Sequence, residues 1–428
     1  MEVLIPVILI FVLILLKVPV SFSLIAGTLT YFLLSDSQIS SIFMVQRMVA
    51  GVESIPLMAI LFFVAVGVLM NYSGISKRLI NFSEVVTGRL PGGLAQVNVL
   101  LSTLMGGLSG SGLADAAMQS KILVPEMEKK GYDRAFSTAV TAASSIITPI
   151  IPPGIALILY GYIANVSIGK LFVAGIVPGI MLCIILMVTV HIISKKRGYQ
   201  PIRETWATPV EIIKESRHAL VAFILPVLII GGIRIGAFTP TEAGAMAVVF
   251  TLLLGLVIYR EMKLEHLKIA IVESVSTTAS ILLLIASSSA FAWVLTMERI
   301  PHKATDFVLG FVDNPLLFLV IVNIFLLFIG LFIEGNVAMI ILVPLLMPMV
   351  GAYGIDPVHF GIMLIMNLSI GTLTPPMGTV MLTTCSITKT RIEDFIRAVL
   401  PFWLALLVAL LLITFVPQIS LLLVDLLY

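Results

Sequence analysis

Long apolar runs separated by short polar breaks fill the chain. They fall at about 3–34, interrupted by Lys17 and Pro19, and then at 52–72, 94–128, 136–165 and 171–193. A hydrophilic stretch, 194–217, follows, and apolar runs resume at 218–259, 274–296, 307–351, 358–386 and 398–427. About 20 apolar residues span the ~30 Å of a bilayer core, so the pattern predicts many membrane-crossing helices. The run 94–128 is too long for one crossing at ordinary tilt. Its polar, glycine-rich centre, LMGGLSGSGLADAAMQS (Leu104–Ser120), predicts a re-entrant hairpin of two half-helices. FIGLFIEGNVAMI (Phe328–Ile340) is its counterpart further on. Two other runs carry paired prolines, SIITPIIPPG (Ser145–Gly154) and LSIGTLTPPMG (Leu368–Gly378). Proline lacks a backbone donor and clashes with the preceding turn. Each run is therefore predicted to be a broken helix, with breaks at Thr148–Gly154 and Gly371–Met377.

The duplication of these pieces has a register. At a constant offset of 223, Gly107 matches Gly330, Gly112 matches Gly335, and Pro125 matches Pro348. Gly131 and Asp133 match Gly354 and Asp356, Pro152-Pro153 matches Pro375-Pro376, and Pro178 matches Pro401. Glycine and proline dominate, and these residues fix backbone shape. Two halves are expected. The first, 1–193, holds scaffold helices at about 1–90, a hairpin at about 94–130 and a broken helix at about 135–165. The second, 218–428, repeats this with scaffold helices at about 218–312, a hairpin at about 315–352 and a broken helix at about 358–388. Interrupted apolar segments at corresponding places in two halves point to a midplane transport site.

Residues 194–217 form a linker between the halves, expected to contain a helix. Its six cations, among them Lys195, Lys196 and Arg197, place it in the cytoplasm by the positive-inside rule. Thr208, Pro209 and Glu211 read as N-cap, first helical position and capping-box partner. Such a helix fits a solvated linker, and Ile212 and Ile213 also suit a membrane surface.

Composition narrows the class. Hydrophobic residues make up 59% of the 428 and charged residues 11%, which describes an all-α polytopic membrane protein. The net charge of +2 comes with no basic arm for nucleic acid. Two cysteines and five scattered histidines supply no metal or redox-cofactor spacing, and no phosphate-loop motif for ATP occurs. The N-terminal residues lack a basic region and cleavage site and read as a retained membrane segment.

A broken helix leaves unpaired carbonyls at one end, suited to Na⁺, and unpaired amides at the other, suited to a carboxylate. Hydroxyls at Ser109, Ser111, Thr148, Thr372 and Thr374 add neutral ligands. The same glycines also suit close helix packing. Asp115 and Glu334 are intramembrane acids, candidates for function or for capping half-helices. Asp133, Asp356, Glu53 and Glu273 read as helix-start residues. Arg234 and Glu242 fit either a transport path or an interface.

Taken together, GGLSGSGLADAA, PEMEKKGYDRAFSTAVTAASS, ITPIIPPG and TPTEAGA (239–245) resemble the large membrane (M) subunit of tripartite ATP-independent periplasmic (TRAP) transporters, over essentially the whole chain. Within that family the chain is most similar to the sialic-acid group. C4-dicarboxylates and other sugar acids are the alternatives. The resemblance implies a two-fold inverted repeat of the ion-transporter superfamily type, with a mobile elevator domain of two hairpins and two broken helices. It implies Na⁺ coupling without ATP in a bacterial inner membrane. Na⁺ would lie at Gly107, Ser109, Ser111, Gly112, Thr148, Ile151 and Gly154, and at Gly330, Gly335, Gly371, Thr374 and Met377. The carboxylate would lie between these sites, among Ser109, Gly110, Asp115, Pro152, Pro153, Glu334, Asn336, Thr372, Pro375 and Pro376. The implied partners are a small four-helix membrane subunit and a periplasmic substrate-binding protein. A rival reading takes Gly107-Leu108-Ser109-Gly110 as the nucleophile motif of an intramembrane serine hydrolase, with His191 as the available base. The second half has Phe332 where Ser109 stands, which that reading leaves unexplained.

Overall fold

The computed structural model describes residues 4–35 and 40–428. Among these the regular structure is helical throughout, and six helices are long and apolar enough to cross a membrane. Rows of exposed apolar side chains cover its outside, as on helix Ile168–Arg197, where Ile180, Ile184, Val188 and Ile192 recur at one-turn spacing. A surface of this kind faces lipid.

The first hairpin runs from Gly93–Ser109 through the tip Gly110–Ser111 into Gly112–Lys129. The second runs from Pro315–Gly330 through residues 331–334 into Gly335–Ala352. The first broken helix is Arg134–Ser144 with a short 3₁₀ turn, Ser145–Ile147, then a break to Gly154 and a second piece, Ile155–Ile163. The second is Pro357–Gly371, a break over 372–378, and Thr379–Thr388. Helices Gly112–Lys129 and Gly335–Ala352 begin and end at the same offset as the sequence repeat. Their N-caps correspond too. Ser111 Oγ accepts from the Ala114 N–H, and the Glu334 carboxylate accepts from the Val337 N–H. Asp133 caps at Phe136 and Asp356 at His359, again in register.

The halves interlock in a corresponding way. Gly112–Lys129 packs on Thr379–Thr388, and Gly335–Ala352 packs on Ile155–Ile163. Helices Val20–Leu34, Ile55–Tyr72, Pro240–Leu253 and Leu264–Met297 form a neighbouring layer, with Ile55–Tyr72 also touching the first hairpin and first broken helix.

Some elements depart from expectation. The stretch 194–217 is not one linker helix. Helix Ile168–Arg197 covers its start, 198–208 is irregular, and the helix opened by Thr208 and Pro209 continues unbroken to Arg234. The expected capping box is present, and the Thr208 N–H holds the Glu211 carboxyl below its ordinary range. Glu273 starts no helix. It lies inside Leu264–Met297, because the polar residues 264–273 extend that helix outward. Glu53 does not cap either, since Ser54 is the N-cap residue there and no side chain fills the role. Glu242 closes a capping box with Thr239, and Arg234 Nε donates to the Leu427 carbonyl.

Candidate functional site

Both hairpin tips and both broken helices meet around one cavity of about 490 Å³. Gly110, Ser111 and Gly112 reach it from the first tip, and Glu334, Gly335 and Asn336 from the second. Ser145 and Pro149 come from the first broken helix, Ser369 and Thr372 from the second. The volume lies in the ordinary range for a small-molecule site.

The first residues of four half-helices, Gly112, Ile155, Gly335 and Thr379, all line this cavity. Each helix start carries partial positive charge, although the Ile155 N–H donates to the Gly110 carbonyl and the Val380 and Met381 N–H groups to the Thr372 carbonyl. Side chains cap two of them, Ser111 and Glu334, whereas Ile155–Ile163 and Thr379–Thr388 start without a side-chain cap. Among the described residues the wall holds hydroxyls, an amide and one carboxylate, and no lysine, arginine or histidine. An anion here would be held by helix ends and neutral donors.

Helix Leu264–Met297 adds Ser276, Thr277 and Ser280 to the wall, residues that motif reasoning passed over. The available signal was the hydroxyl-rich SVSTTAS (274–280) within an apolar run.

Behind the cavity the first tip is pinned to the first break. Gly110 has φ +60, and a Cβ there would lie 2.5 Å from the Pro153 carbonyl oxygen, so only glycine fits. The Gly110 carbonyl accepts from the Ile155 N–H at 3.3 Å. A Cβ on Gly112 would meet the Ser145 carbonyl, one on Gly154 the Pro149 carbonyl, and one on Gly107 the ring of Pro226 and the Pro152 carbonyl. Ile151 packs against Gly106. The Ser109 hydroxyl is buried without a hydrogen-bond partner. Among the described residues no histidine or carboxylate hydrogen-bonds to it, as a serine nucleophile would require.

Asp115 does not reach the cavity. It is 1% exposed, and its carboxylate accepts from Ser102 Oγ at 2.7 Å, Gln119 Nε2 at 2.8 Å and Thr148 Oγ1 at 3.2 Å. No cationic side chain pairs with Asp115 or Glu334 among the described residues.

The second tip meets the second break backbone to backbone. A Cβ on Gly371 would lie 2.8 Å from the Gly330 Cα. The Met377 N–H donates to the Leu331 carbonyl at 3.1 Å. Thr374 Oγ1 donates to the Ile370 carbonyl and accepts from Trp403 Nε1 at 3.2 Å, a contact the sequence did not reveal. Both X-Pro bonds, Pro152-Pro153 and Pro375-Pro376, are cis. None of these four prolines lines the cavity. Gly110, Glu334, Asn336 and Thr372 are the expected substrate residues that do.

Comparison with known proteins agrees with this geometry. Residues 7–419 match the family described as "Tripartite ATP-independent periplasmic transporter, DctM component". The chain is 41% identical over 408 residues to the sialic acid TRAP transporter large permease protein SiaM of Vibrio cholerae, covering 95% of each. It is 39% identical over 379 residues to the 2,3-diketo-L-gulonate TRAP transporter large permease protein YiaN of Escherichia coli, covering 89% of each. Among solved structures, the Alcanivorax borkumensis YdaH transporter superposes with a TM-score of 0.64 at 16% identity, covering 96% of this chain and 98% of that one, a likeness of fold.

Proposed function

The chain belongs to the DctM family, the large permease component of tripartite ATP-independent periplasmic transporters, and from that premise we propose that it carries a sugar acid of the sialic-acid class inward, coupled to Na⁺. It is a multi-pass protein of the bacterial inner membrane and a transporter subunit, not an enzyme. The observation that carries the substrate reading is the cavity itself. Four helix starts offer an anion partial positive charge, while Ser111, Ser276, Ser280, Asn336 and Thr372 offer hydrogen bonds to hydroxyl groups. Glu334 accepts from substrate hydroxyls and disfavours a second carboxylate, which argues for a polyhydroxylated monoacid over a C4-dicarboxylate.

Each Na⁺ would sit behind the cavity wall, where a tip meets a break. Ser109, Thr148 and Asp115 support the first position, and Gly371, Thr374 and the Met377 region the second. With two Na⁺ per monoanion, one net charge enters. That is driven by ~2.3 kcal/mol per 100 mV, roughly a 50-fold accumulation at about 1.36 kcal/mol per tenfold.

The contacts at the ends of the helices support an inverted repeat. The first hairpin opens beside the linker, where the Gly92 N–H donates to the Tyr199 carbonyl and Tyr132 Oη to the Gln200 carbonyl. The second broken helix starts at the other end of helix Ile168–Arg197. There His359 meets Ser420, and Tyr428 crowds Gly169. Hairpins opening to opposite faces suit a domain that moves as one piece between them. The partners are a small membrane subunit and a periplasmic binding protein that delivers the acid.

The test is uptake by proteoliposomes holding this chain and its small subunit, with sialic acid loaded on a binding protein outside. Under an inside-negative potential, uptake is expected with Na⁺ and not with K⁺, and only with the binding protein. Na⁺-dependent uptake of a different acid would keep the mechanism and discard the substrate. Uptake indifferent to Na⁺ would discard the coupling.

Movement also requires the first tip to slide on helix Ile55–Tyr72. Gly67 of that helix faces Ser109, and a Cβ there would stand 3.2 Å from the Ser109 Cα and carbonyl oxygen. Gly67→Leu is expected to slow uptake by about tenfold or more, the scale of 1–3 kcal/mol of overpacking. Initial rates at saturating substrate would show it, and an unchanged rate would mean that this contact is not a sliding surface.

A further inference from the structure

We propose that a charged pocket at the linker end of the molecule binds the phosphate of an anionic phospholipid headgroup. The pocket encloses about 500 Å³ where helix Ile168–Arg197 ends and Thr379–Thr388 turns into Ile392–Phe415. Five cationic side chains line it, Arg134, Arg197, Lys389, Arg391 and Arg397, against Asp133 and Asp394, a formal excess of three positive charges.

Three of the cations have partners. Arg134 pairs with Glu128, Arg391 Nε lies 3.7 Å from Glu393, and Arg197 lies 3.9 Å from Asp133 and over the Phe136 ring. Lys389 and Arg397 are exposed, and their side chains have no hydrogen bond or ion pair among the described residues. Lys389 sits in a left-handed turn at φ 58, which aims the chain directly into helix Ile392–Phe415. That helix starts without a side-chain cap, and Arg391, Asp394 and Arg397 bring its first turns to the pocket wall. Thr390, tied to Thr138 and Thr388 by hydroxyl contacts of 2.8 Å, adds a neutral donor to the lining. Clustered ammonium, guanidinium and hydroxyl donors are the chemistry that holds a phosphate.

The surroundings favour a lipid over a free ion. Arg397 heads an exposed apolar row of Leu400, Leu404 and Val408 on its own helix. Helix Ile168–Arg197, which packs against it, carries its exposed row Ile184, Val188 and Ile192 on the face opposite Arg197, whose guanidinium turns inward over Phe136. A phosphate in the pocket therefore leaves acyl chains beside the apolar row that runs from Arg397 through Leu400, Leu404 and Val408. The cations stand at the edge of that row, the depth of a headgroup.

The experiment uses the full-length chain purified in mild detergent and exposed to an equimolar mixture of phosphatidylglycerol and phosphatidylcholine with matched acyl chains. Native mass spectrometry reads which lipid is retained. Phosphatidylglycerol is expected to be retained about 25-fold over phosphatidylcholine, and Lys389→Gln with Arg397→Gln to abolish that preference, at about fivefold for each cation removed. Millimolar inorganic phosphate should leave the bound lipid in place. Equal retention of the two lipids by the unmodified chain would overturn the proposal, as would an undiminished preference in the double variant. Displacement of the lipid by inorganic phosphate would make this a free-anion site and overturn the lipid assignment. Should the double variant fail to fold, the single variants and the unmodified chain's own lipid preference still decide.

Discussion

Gly371→Val is expected to lower uptake about 100-fold or more while the protein still inserts into the membrane. At Gly371 the second broken helix stops and the second hairpin tip crosses it with no side chain between the two backbones. A Cβ there would lie 2.8 Å from the Gly330 Cα and 3.0 Å from its carbonyl oxygen. Backbone atoms cannot swing aside as a side-chain end can, so tip and break must separate. A shift of about 1 Å in a site is enough to cost 10²-fold. The same shift would stretch the Met377 N–H bond to the Leu331 carbonyl and move Glu334, Gly335 and Asn336 away from Ser369 and Thr372 across the cavity. Gly351→Val is the matched control, since nothing lies within 4 Å of a Cβ at that position. Uptake rates at equal amounts of membrane-inserted protein would make the comparison. Equal activity of the two variants would remove the tip-and-break contact from the transport site.

The repeat was legible because it rests on glycines and prolines, whose backbone demands survive divergence of everything around them. Gly112 and Gly335 illustrate this. In the structure they pack on Ser145 and Leu368, two residues that differ in chemistry yet stand at the same offset. Helices accordingly stop and restart where these residues stand, at Ser109 and Gly112, at Gly330 and Gly335, and at Gly371 and Thr379. Helix lengths next to polar residues were less legible. Hydropathy falls at 264–273 and at 209–217, but an α-helix that leaves the membrane continues while its exposed face is polar. Leu264–Met297 and Pro209–Arg234 accordingly run past the apolar boundary. The cavity wall from Ser276, Thr277 and Ser280 was missed for another reason. Hydroxyls in a membrane helix can satisfy themselves on the carbonyl four residues back, as Ser280 does on Ser276, so their presence in sequence carries no direction.

Asp115 divides the sequence reading from the structural one. From sequence it was an acid near a tip and therefore near substrate. In the structure the tip helix carries it inward, away from the cavity, to accept from Ser102, Gln119 and Thr148. Ionising a carboxylate in the membrane interior is costly unless a counter-charge is at hand. Thr148, an expected ion ligand, touches it, and the unpartnered Ser109 hydroxyl belongs to the same hairpin tip. A Na⁺ bound there would find its counter-charge in Asp115.

Asp115→Asn is therefore expected to raise the Na⁺ concentration for half-maximal uptake by about tenfold or more. At an effective dielectric near 20, a unit charge 4 Å away is worth ~4 kcal/mol before relaxation, which leaves room for a loss of that size. Asparagine keeps the shape of the side chain but turns an N–H₂ either toward Gln119 Nε2 or toward the Ser102 and Thr148 hydroxyls, so some stability is lost as well, about 1–3 kcal/mol. Asp133→Asn separates the two effects. Asp133 caps helix Arg134–Ser144 through the Phe136 N–H and lies 3.9 Å from Arg197, away from the cavity, and its replacement should cost at most ~1 kcal/mol of stability and leave the Na⁺ dependence where it was. Thermal unfolding and Na⁺ titrations of uptake on both variants would tell charge from architecture. If Asp115→Asn lost stability yet kept the native Na⁺ requirement, the carboxylate would be a strut for the broken helix. The first ion would then have to be held by Ser109, Thr148 and backbone carbonyls alone.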